Sequence, residues 1–313
     1  MKQKSFLSGI LLLSALCAQA NNYTVTSPDG KLAVNVECKE GKAFYTVNYD
    51  GKQMLGASAL GLVANYGDFS QNLKMGALKS EKKHLAYKMT RIKKEKIEKD
   101  ANEATIGFIN SKKDSMTLRL HVSNNDIAYK YEMIRPKKDN PKSVIIYHEV
   151  SGFNFPEKTT TFLCPQITPM TGWERTKPSY EEEYTPDAQM NVKSQFGVGY
   201  TFPCLFKVGN DGWVLVSETG VSSAYPGCRL SDYEPGKGYT VAFPQKGENN
   251  GVGSEFAGIP LPGETPWRTI TVGSSLAPVV ETTIPYDVVE PLYEASQTYK
   301  PSRYTWSWLI WQD

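Results

Sequence analysis

The sequence predicts an all-β protein, a large antiparallel β-sandwich. Three observations lead there. Short runs of β-branched and aromatic residues recur along most of the 313-residue chain, turn-forming clusters separate them, and no amphipathic helical pattern extends beyond about three turns. Many short strands in a chain this long must pack as two sheets, or close on themselves, to bury their apolar faces.

The first 20 residues read as an export signal. Lys2 and Lys4 form a positive region, Phe6 to Leu16 an apolar run, and Ala18-Gln19-Ala20 a small-residue cleavage site. The run is too short to span about 30 Å of hydrocarbon, so the mature chain is expected to begin at Asn21 in the periplasm or outside the cell, with no membrane association. Of 35 basic and 33 acidic residues, cleavage removes two lysines and no acid, which leaves the remainder neutral. A neutral chain argues against an electrostatically driven nucleic-acid or anionic-membrane binder. With 40% hydrophobic, 12% aromatic and 22% charged residues, wholesale disorder and collagen-like repeats are excluded.

The strands follow in order. Leu32, Val34 and Val36 alternate with Ala33 and Asn35, Phe44 to Tyr49 repeats the pattern, and Asp50-Gly51 supplies a hairpin turn before Lys52 to Leu55. Ala104 to Ile109, Met116 to Val122, Ile127 to Met133 and Val144 to Val150 are further strands. So are Gly197 to Phe206, Trp213 to Ser217, Tyr239 to Phe243 and Trp267 to Val272. Asn124-Asn125-Asp126, Gly209 to Gly212 and Pro235 to Gly238 are turn signals between them. The densest charge run, Arg91 to Lys99, reads as a solvated edge strand whose lysines discourage edge-to-edge association.

Four cysteines follow the signal, Cys38, Cys164, Cys204 and Cys228. An oxidising compartment permits disulfides, and the three possible pairings stay open beside buried free thiols. There is no C-x-x-C, and His84, His121 and His148 lack zinc-ligand spacing. After about residue 275 the composition changes. Pro278, Pro285 and Pro291 punctuate a connecting stretch, and Trp306-Ser307-Trp308-Leu309-Ile310-Trp311 is an apolar strand pattern that needs a partner sheet. The organisation expected is a signal over 1–20, a sandwich over 21–275, and a linker leading into another domain over 276–313.

Several short motifs, taken in order, resemble one family. Ser27-Pro28-Asp29-Gly30-Lys31-Leu32, Asp126 to Tyr131, Phe202-Pro203-Cys204-Leu205-Phe206-Lys207, Trp213 to Glu218 and Tyr225-Pro226-Gly227 are similar to the N-terminal domain of glycoside hydrolase family 97. Pro266 to Gly273, Glu290-Pro291 and Lys300-Pro301 leading into Trp306-Ser307-Trp308 look like that family's passage into its catalytic barrel. The resemblance implies a β-supersandwich like that of galactose mutarotase. It also implies a secreted or periplasmic α-glucosidase or α-galactosidase of Bacteroidota type, with α-glucosides or α-galactosides as partners. The acid and the base or nucleophile belong to a (β/α)₈ barrel expected in cis. Such a barrel needs about 200 residues or more, so the sequence in hand is expected to be inactive by itself.

One contribution from the sandwich is implied by the same resemblance. In the family a glutamate from a sandwich loop ligates an active-site calcium ion, most of whose ligands come from the barrel. Pro178 to Thr185 looks like that loop, with Glu181 following Tyr180 as the favoured ligand and Glu183 the less favoured one. Calcium takes 6–8 oxygen ligands, so one carboxylate completes a site and does not make one. On an extended strand Glu181 and Glu183 share a side while Glu182 faces away. Trp173 and Tyr180 are candidate sugar-stacking residues.

Other constellations carry less. His148-Glu149 ends an apolar strand, so the two side chains point to opposite faces and make no dyad; Glu149 is expected to bond a neighbouring backbone group. No G-x-S-x-G, Walker, Rossmann or H-E-x-x-H motif occurs. A free-standing carbohydrate-binding domain would use the same fold. A sugar epimerase would too, but it needs an acid and a base on either side of an anomeric centre, and the three histidines have no recognisable partner.

Overall fold

The computed structural model describes residues 22–89, 93–138, 140–169, 185–248, 251–292, 300 and 302–305. The chain opens with four strands, β1 (Asn22–Thr26), β2 (Leu32–Lys39), β3 (Lys42–Tyr49) and β4 (Lys52–Leu60), which pair in that order as one sheet. Asp50 and Gly51 at the tip of the β3–β4 hairpin both have positive φ, 50° and 74°, as a two-residue turn matched to strand twist requires. Two short strands, β5 (Leu62–Ala64) and β6 (Gly67–Asp68), lead to a long hairpin of β7 (Lys74–Lys88) and β8 (Lys96–Ile109). Then come β9 (Ser115–Val122), β10 (Asp126–Met133), β11 (Ser143–Glu149), β12 (Gly152–Phe153) and β13 (Thr159–Phe162).

The second half is finer grained. It contains β14 (Ala188–Gln189), β15 (Tyr200–Thr201), β16 (Cys204–Val208), β17 (Gly212–Thr219), β18 (Arg229–Leu230) and β19 (Tyr239–Ala242). The last strands are β20 (Ala257–Pro260), β21 (Gly263–Glu264) and β22 (Trp267–Gly273). Two five-residue helices follow, α1 (Ala277–Glu281) and α2 (Ile284–Val288). The run expected as one strand from Gly197 to Phe206 is two, β15 and β16, separated at Phe202-Pro203, where proline has no N–H to give to a ladder.

One layer is a ten-stranded sheet in the order β14-β13-β16-β17-β22-β10-β9-β8-β7, with β21 beside β10. The other layer combines β1 to β4 with two four-stranded sheets, β20-β11-β5-β6 and β12-β19-β18-β15. Backbone bonds stitch these together: Gly56 N–H to Asn154 O at 2.7 Å, Val150 N–H to Gly61 O at 2.9 Å and Val241 N–H to Ser151 O at 2.9 Å. The alternation seen in the sequence now has its cause. Leu32, Val34, Val36, Tyr45 and Val47 from one layer meet Ile106, Phe108, Leu118, Leu120, Val214 and Val216 from the other in one continuous core. Each such buried side chain is worth roughly 1.5–3 kcal/mol relative to exposure.

Strands β10 and β22 are buried on nearly every residue. Their outer face is covered by the segment after β22, where Ile284 packs with Ala128 and Trp267, and Val288 and Val289 close around them. The lysine-rich run is a correction to the sequence reading. Its last residues begin β8, which is not an edge strand because β7 lies outside it. Its lysines grip α1 and α2: Lys93 Nζ donates to Thr282 O at 3.0 Å and Lys94 pairs with Glu281 at 2.9 Å.

Candidate functional site

The buried chemistry of the sandwich centres on Arg268, which lies on the core face of β22 and is fully buried. Glu218 sits directly across from it on β17, and Glu149, the last residue of β11, approaches from the other layer. Arg268 Nη1 bonds Glu218 Oε2, Nη2 bonds Glu149 Oε1, and Nε donates to Glu149 Oε2 at 3.2 Å. Tyr225 Oη donates to Glu149 Oε1, and Ser151 Oγ donates to Oε2 at 2.9 Å. The Cys228 N–H donates to Glu218 Oε1 at 2.8 Å.

Two carboxylates thus share one guanidinium away from water. Burial holds the Glu218 carboxyl above its ordinary value against the pull of Arg268, and it pushes the Cys228 thiol up to about 12. Burial disfavours the Arg268 charge as well, but the Glu149 carboxylate outweighs it and keeps the guanidinium ionised. Every carboxylate oxygen of the pair has a hydrogen-bond partner, so the cluster ties the two layers together. His148 and Glu149 do lie on opposite faces, one exposed and one buried. The expected backbone bond of Glu149 gives way to an ion pair, because a fully buried carboxylate needs a cation.

A second cluster fixes the chain as it leaves β22. Asp287 on α2 is bonded by Lys99 Nζ at 2.5 Å and by Tyr87 Oη at 2.6 Å. Asp126 accepts from Thr271 and Thr282, both at 2.6 Å, and burial raises its pKa despite Lys99 nearby. The β7–β8 hairpin therefore clamps α2 against the ten-stranded sheet.

The four candidate site residues, Trp173, Tyr180, Glu181 and Glu183, lie outside the described residues, as do the signal segment and Trp306, Trp308 and Trp311. The two flanks of segment 170–184 are well tied down. Gln166 N–H bonds Gly199 O at 2.9 Å, Thr168 N–H bonds Phe196 O at 3.0 Å, and Gln195 Nε2 donates to Thr185 Oγ1 at 3.5 Å. Gly197 is required here: a Cβ on it would stand 2.3 Å from Gln166 O. Among the described residues no group of three or more His, Cys, Asp or Glu side chains could hold a metal ion. A calcium site using Glu181 would therefore draw its remaining ligands from elsewhere.

Two open clefts flank this framework. One, of about 550 Å³, is lined by Phe44, Gln71, His148, Glu234 and Lys237. The other, of about 640 Å³, is lined by Pro244, Gln245, Glu248, Val252, Phe256 and Gly258 among others. Gly247, also in its lining, is next to Pro169, since a Cβ on it would be 3.5 Å from Pro169 Cβ. The larger cleft thus adjoins one root of segment 170–184. Among the described residues no helix is long and apolar enough to cross a membrane.

Two packed antiparallel layers, a buried ionic core and a clamped helical exit segment define a large antiparallel β-sandwich. Residues 25–291 match the family Glycosyl-hydrolase 97 N-terminal, and the chain belongs to it. The crystal structure of a β-arabinopyranosidase is 52% identical, with a TM-score of 0.88 over 93% of this chain and 46% of its own. Two structures of a glycoside hydrolase family 97 enzyme from Pseudoalteromonas sp. strain K8, one with panose and one with acarbose, share the fold. Each is 19% identical with a TM-score of 0.71 over 86% of this chain and 38% of its own. The chain spans about half the length of the arabinopyranosidase. No curated protein matches it.

Sequence reasoning missed two ionic anchors, Arg268 with Glu218 and Lys99 with Asp126 and Asp287. The available signal was a single Arg inside the apolar run Trp267 to Val272, which is costly in a core strand unless it is paired.

Proposed function

We propose that this chain is the N-terminal sandwich of an exported, calcium-dependent glycoside hydrolase acting on pyranosides, and that the chemistry is performed by polypeptide beyond the sandwich. The observation that carries the reading is the 52% identity with the β-arabinopyranosidase over 93% of this chain. That identity makes β-arabinopyranosides the first substrates to test and α-galactosides the second. The L form of β-arabinopyranose has the ring configuration of α-galactopyranose without its exocyclic carbon, so a site for one reads much of the other. α-Glucosides invert one ring hydroxyl and rank third.

In this reading Glu181, with Glu183 as the less favoured choice, carries a carboxylate from the sandwich to a calcium ion whose other ligands lie outside the described residues. Trp173 and Tyr180 on the same segment supply aromatic surface to the sugar. The ion supplies positive charge that orients substrate hydroxyls. The chain's own part is to hold segment 170–184 between two bonded flanks.

The test is hydrolysis of nitrophenyl β-L-arabinopyranoside, α-galactoside and α-glucoside by the natural gene product and by residues 21–313 alone. The reading predicts nitrophenol release by the former, fastest from the arabinoside, and none by the latter. Release by the 21–313 chain would overturn the division of labour, and no release from any of the three by the gene product would overturn the reading.

A further inference from the structure

We propose that the end of the ten-stranded sheet where β13 and β17 finish is a docking face, and that its occupant is the folded polypeptide following Leu292. The inference rests on the reading that the chemistry is performed beyond the sandwich, and it names the surface that receives that polypeptide. The register defines this end. Phe162, the last residue of β13, pairs with Leu205, and Cys204 at the start of β16 pairs with Val216. Thr219 at the end of β17 pairs with Trp267 at the start of β22.

Large apolar side chains stand bare here. Phe196, Val198 and Val221 are 40%, 50% and 44% exposed, and Leu292 is 94% exposed. A path of contacts joins them. Val198 O accepts from Arg229 Nε at 3.1 Å, and the N–H of the preceding Cys228 donates to Glu218 Oε1 at 2.8 Å, three residues before Val221. Gly220, next to Val221, meets the exit segment: a Cβ on it would be 3.3 Å from Val289 Cγ2. Leu292 follows three residues later, within about 10 Å of chain.

The backbone under Phe196 and Val198 explains their exposure. A Cβ on Gly197 would stand 2.3 Å from Gln166 O, and one on Gly199 2.2 Å from Leu230 O, so the glycines press against the sandwich and the residues beside them are left to solvent. Asp232 Oδ1 accepts from the N–H groups of Ser194 and Gly199, at 3.4 and 3.1 Å, and ties down both ends of the stretch. Small residues inward and large apolar ones outward reverse the pattern that water selects. Apolar groups clustered in water on a fixed backbone mark an interaction surface.

The course of the chain names the occupant. The exit segment, held by Lys99 and Tyr87 on Asp287, delivers Leu292 to this end. The flanks of segment 170–184 meet at the same end, where Phe196 O accepts from Thr168 N–H at 3.0 Å. This chain covers 46% of the β-arabinopyranosidase, so more than half of that enzyme lies outside the matched part. On the reading above, a domain that enters at Leu292 and shares a calcium ion with Glu181 lies over this end.

The test is hydroxyl-radical footprinting of the natural gene product, read by mass spectrometry, with side chains near the opposite end of β22 as internal references. There Leu276 and Val280 are 42% and 65% exposed, beside Pro278, which lies against Gly273. Expected are slower modification of Leu292 than of Leu276, and of Val198 and Val221 than of Val280, each by about threefold or more, as burial in an interface core gives. Val198→Asp together with Val221→Asp brings Leu292 up to at least the rate of Leu276, while Val280→Asp leaves it protected; circular dichroism confirms that both variants are folded. The proposal is overturned by equal rates in the gene product without substitutions, or by protection that survives both Asp substitutions. It is also overturned if protection disappears on dilution as gel filtration shows a dimer dissociating, which would make a second copy the occupant. Nitrophenol release by a gene product whose side chains are bare here removes the docking face alone. Protection here without release from any of the three glycosides removes the hydrolase reading alone.

Discussion

Replacing Arg268 by methionine removes the cation that the two layers of the sandwich share and leaves its partners behind. Glu149 is fully buried and Glu218 almost so, and neither has another cation within bonding distance among the described residues. Breaking a buried pair from one side costs about 3–5 kcal/mol, and domains of this kind have only about 5–15 kcal/mol in total. At roughly 2 °C per kcal/mol for a chain this large, the melting temperature falls by about 6–10 °C. Urea unfolding followed by circular dichroism measures the loss as a lower midpoint at unchanged slope.

The pH dependence has a defined sign. Glu218 has a folded pKa above its ordinary 4.5, so its contribution is fully present below the unfolded value and is lost as pH rises through the raised one. Removal of Arg268 raises that folded value further, so the deficit of Arg268→Met is largest near neutrality and shrinks as pH falls toward 4.5. Adding Glu149→Leu and Glu218→Gln to Arg268→Met takes away the stranded charges and recovers most of the loss. A change below about 1 kcal/mol in Arg268→Met, or no recovery in the triple variant, would refute this account of the core.

Three further expectations follow from the other anchors. Lys99→Met strands the buried Asp287 carboxylate and costs about 3 kcal/mol; amide exchange over residues 277–288 speeds up, and unchanged exchange there would mean that the hairpin does not hold α2. Glu103 accepts from His121 at 3.2 Å and from Lys83 at 2.9 Å, and these bonds, despite its partial burial, hold its pKa down to about 2. Its contribution is therefore present above pH 4.5 and is lost as pH falls toward 2, so the stability gap to Glu103→Gln narrows over that window, and a constant gap would contradict it. Gly197→Ala forces a Cβ onto Gln166 O and destabilises by about 1–3 kcal/mol, read as a lower urea midpoint; a neutral effect would show that the flank of segment 170–184 yields.

Where one residue's neighbours decide its environment, the sequence was readable. The alternation of Leu32, Val34 and Val36 named a half-buried strand, and Asp50-Gly51 named its hairpin, because period and turn chemistry are local. Arg268 was hidden inside a strand that was itself predicted, since its partners Glu218 and Glu149 are 50 and 119 positions away and nothing local marks such a pairing. For the same reason the lysines of Arg91 to Lys99 read as a solvated edge, while their partners Thr282, Glu281 and Asp287 come almost 190 positions later. The bare end at Val198, Val221 and Leu292 is also non-local, made only when the ladder brings the ends of β13, β17 and β22 together. The family was legible because its motifs are short, ordered and spread over the whole sandwich.

The most direct test of the account is a chimera, in which residues 22–292 of this chain replace the corresponding sandwich of the β-arabinopyranosidase to which it is 52% identical. The account predicts a folded protein that hydrolyses nitrophenyl β-L-arabinopyranoside in calcium, loses activity in chelator, and loses most of it on Glu181→Gln. A chimera that folds, shown by circular dichroism and gel filtration, yet releases no nitrophenol would contradict the claim that this chain is the working N-terminal half of such an enzyme.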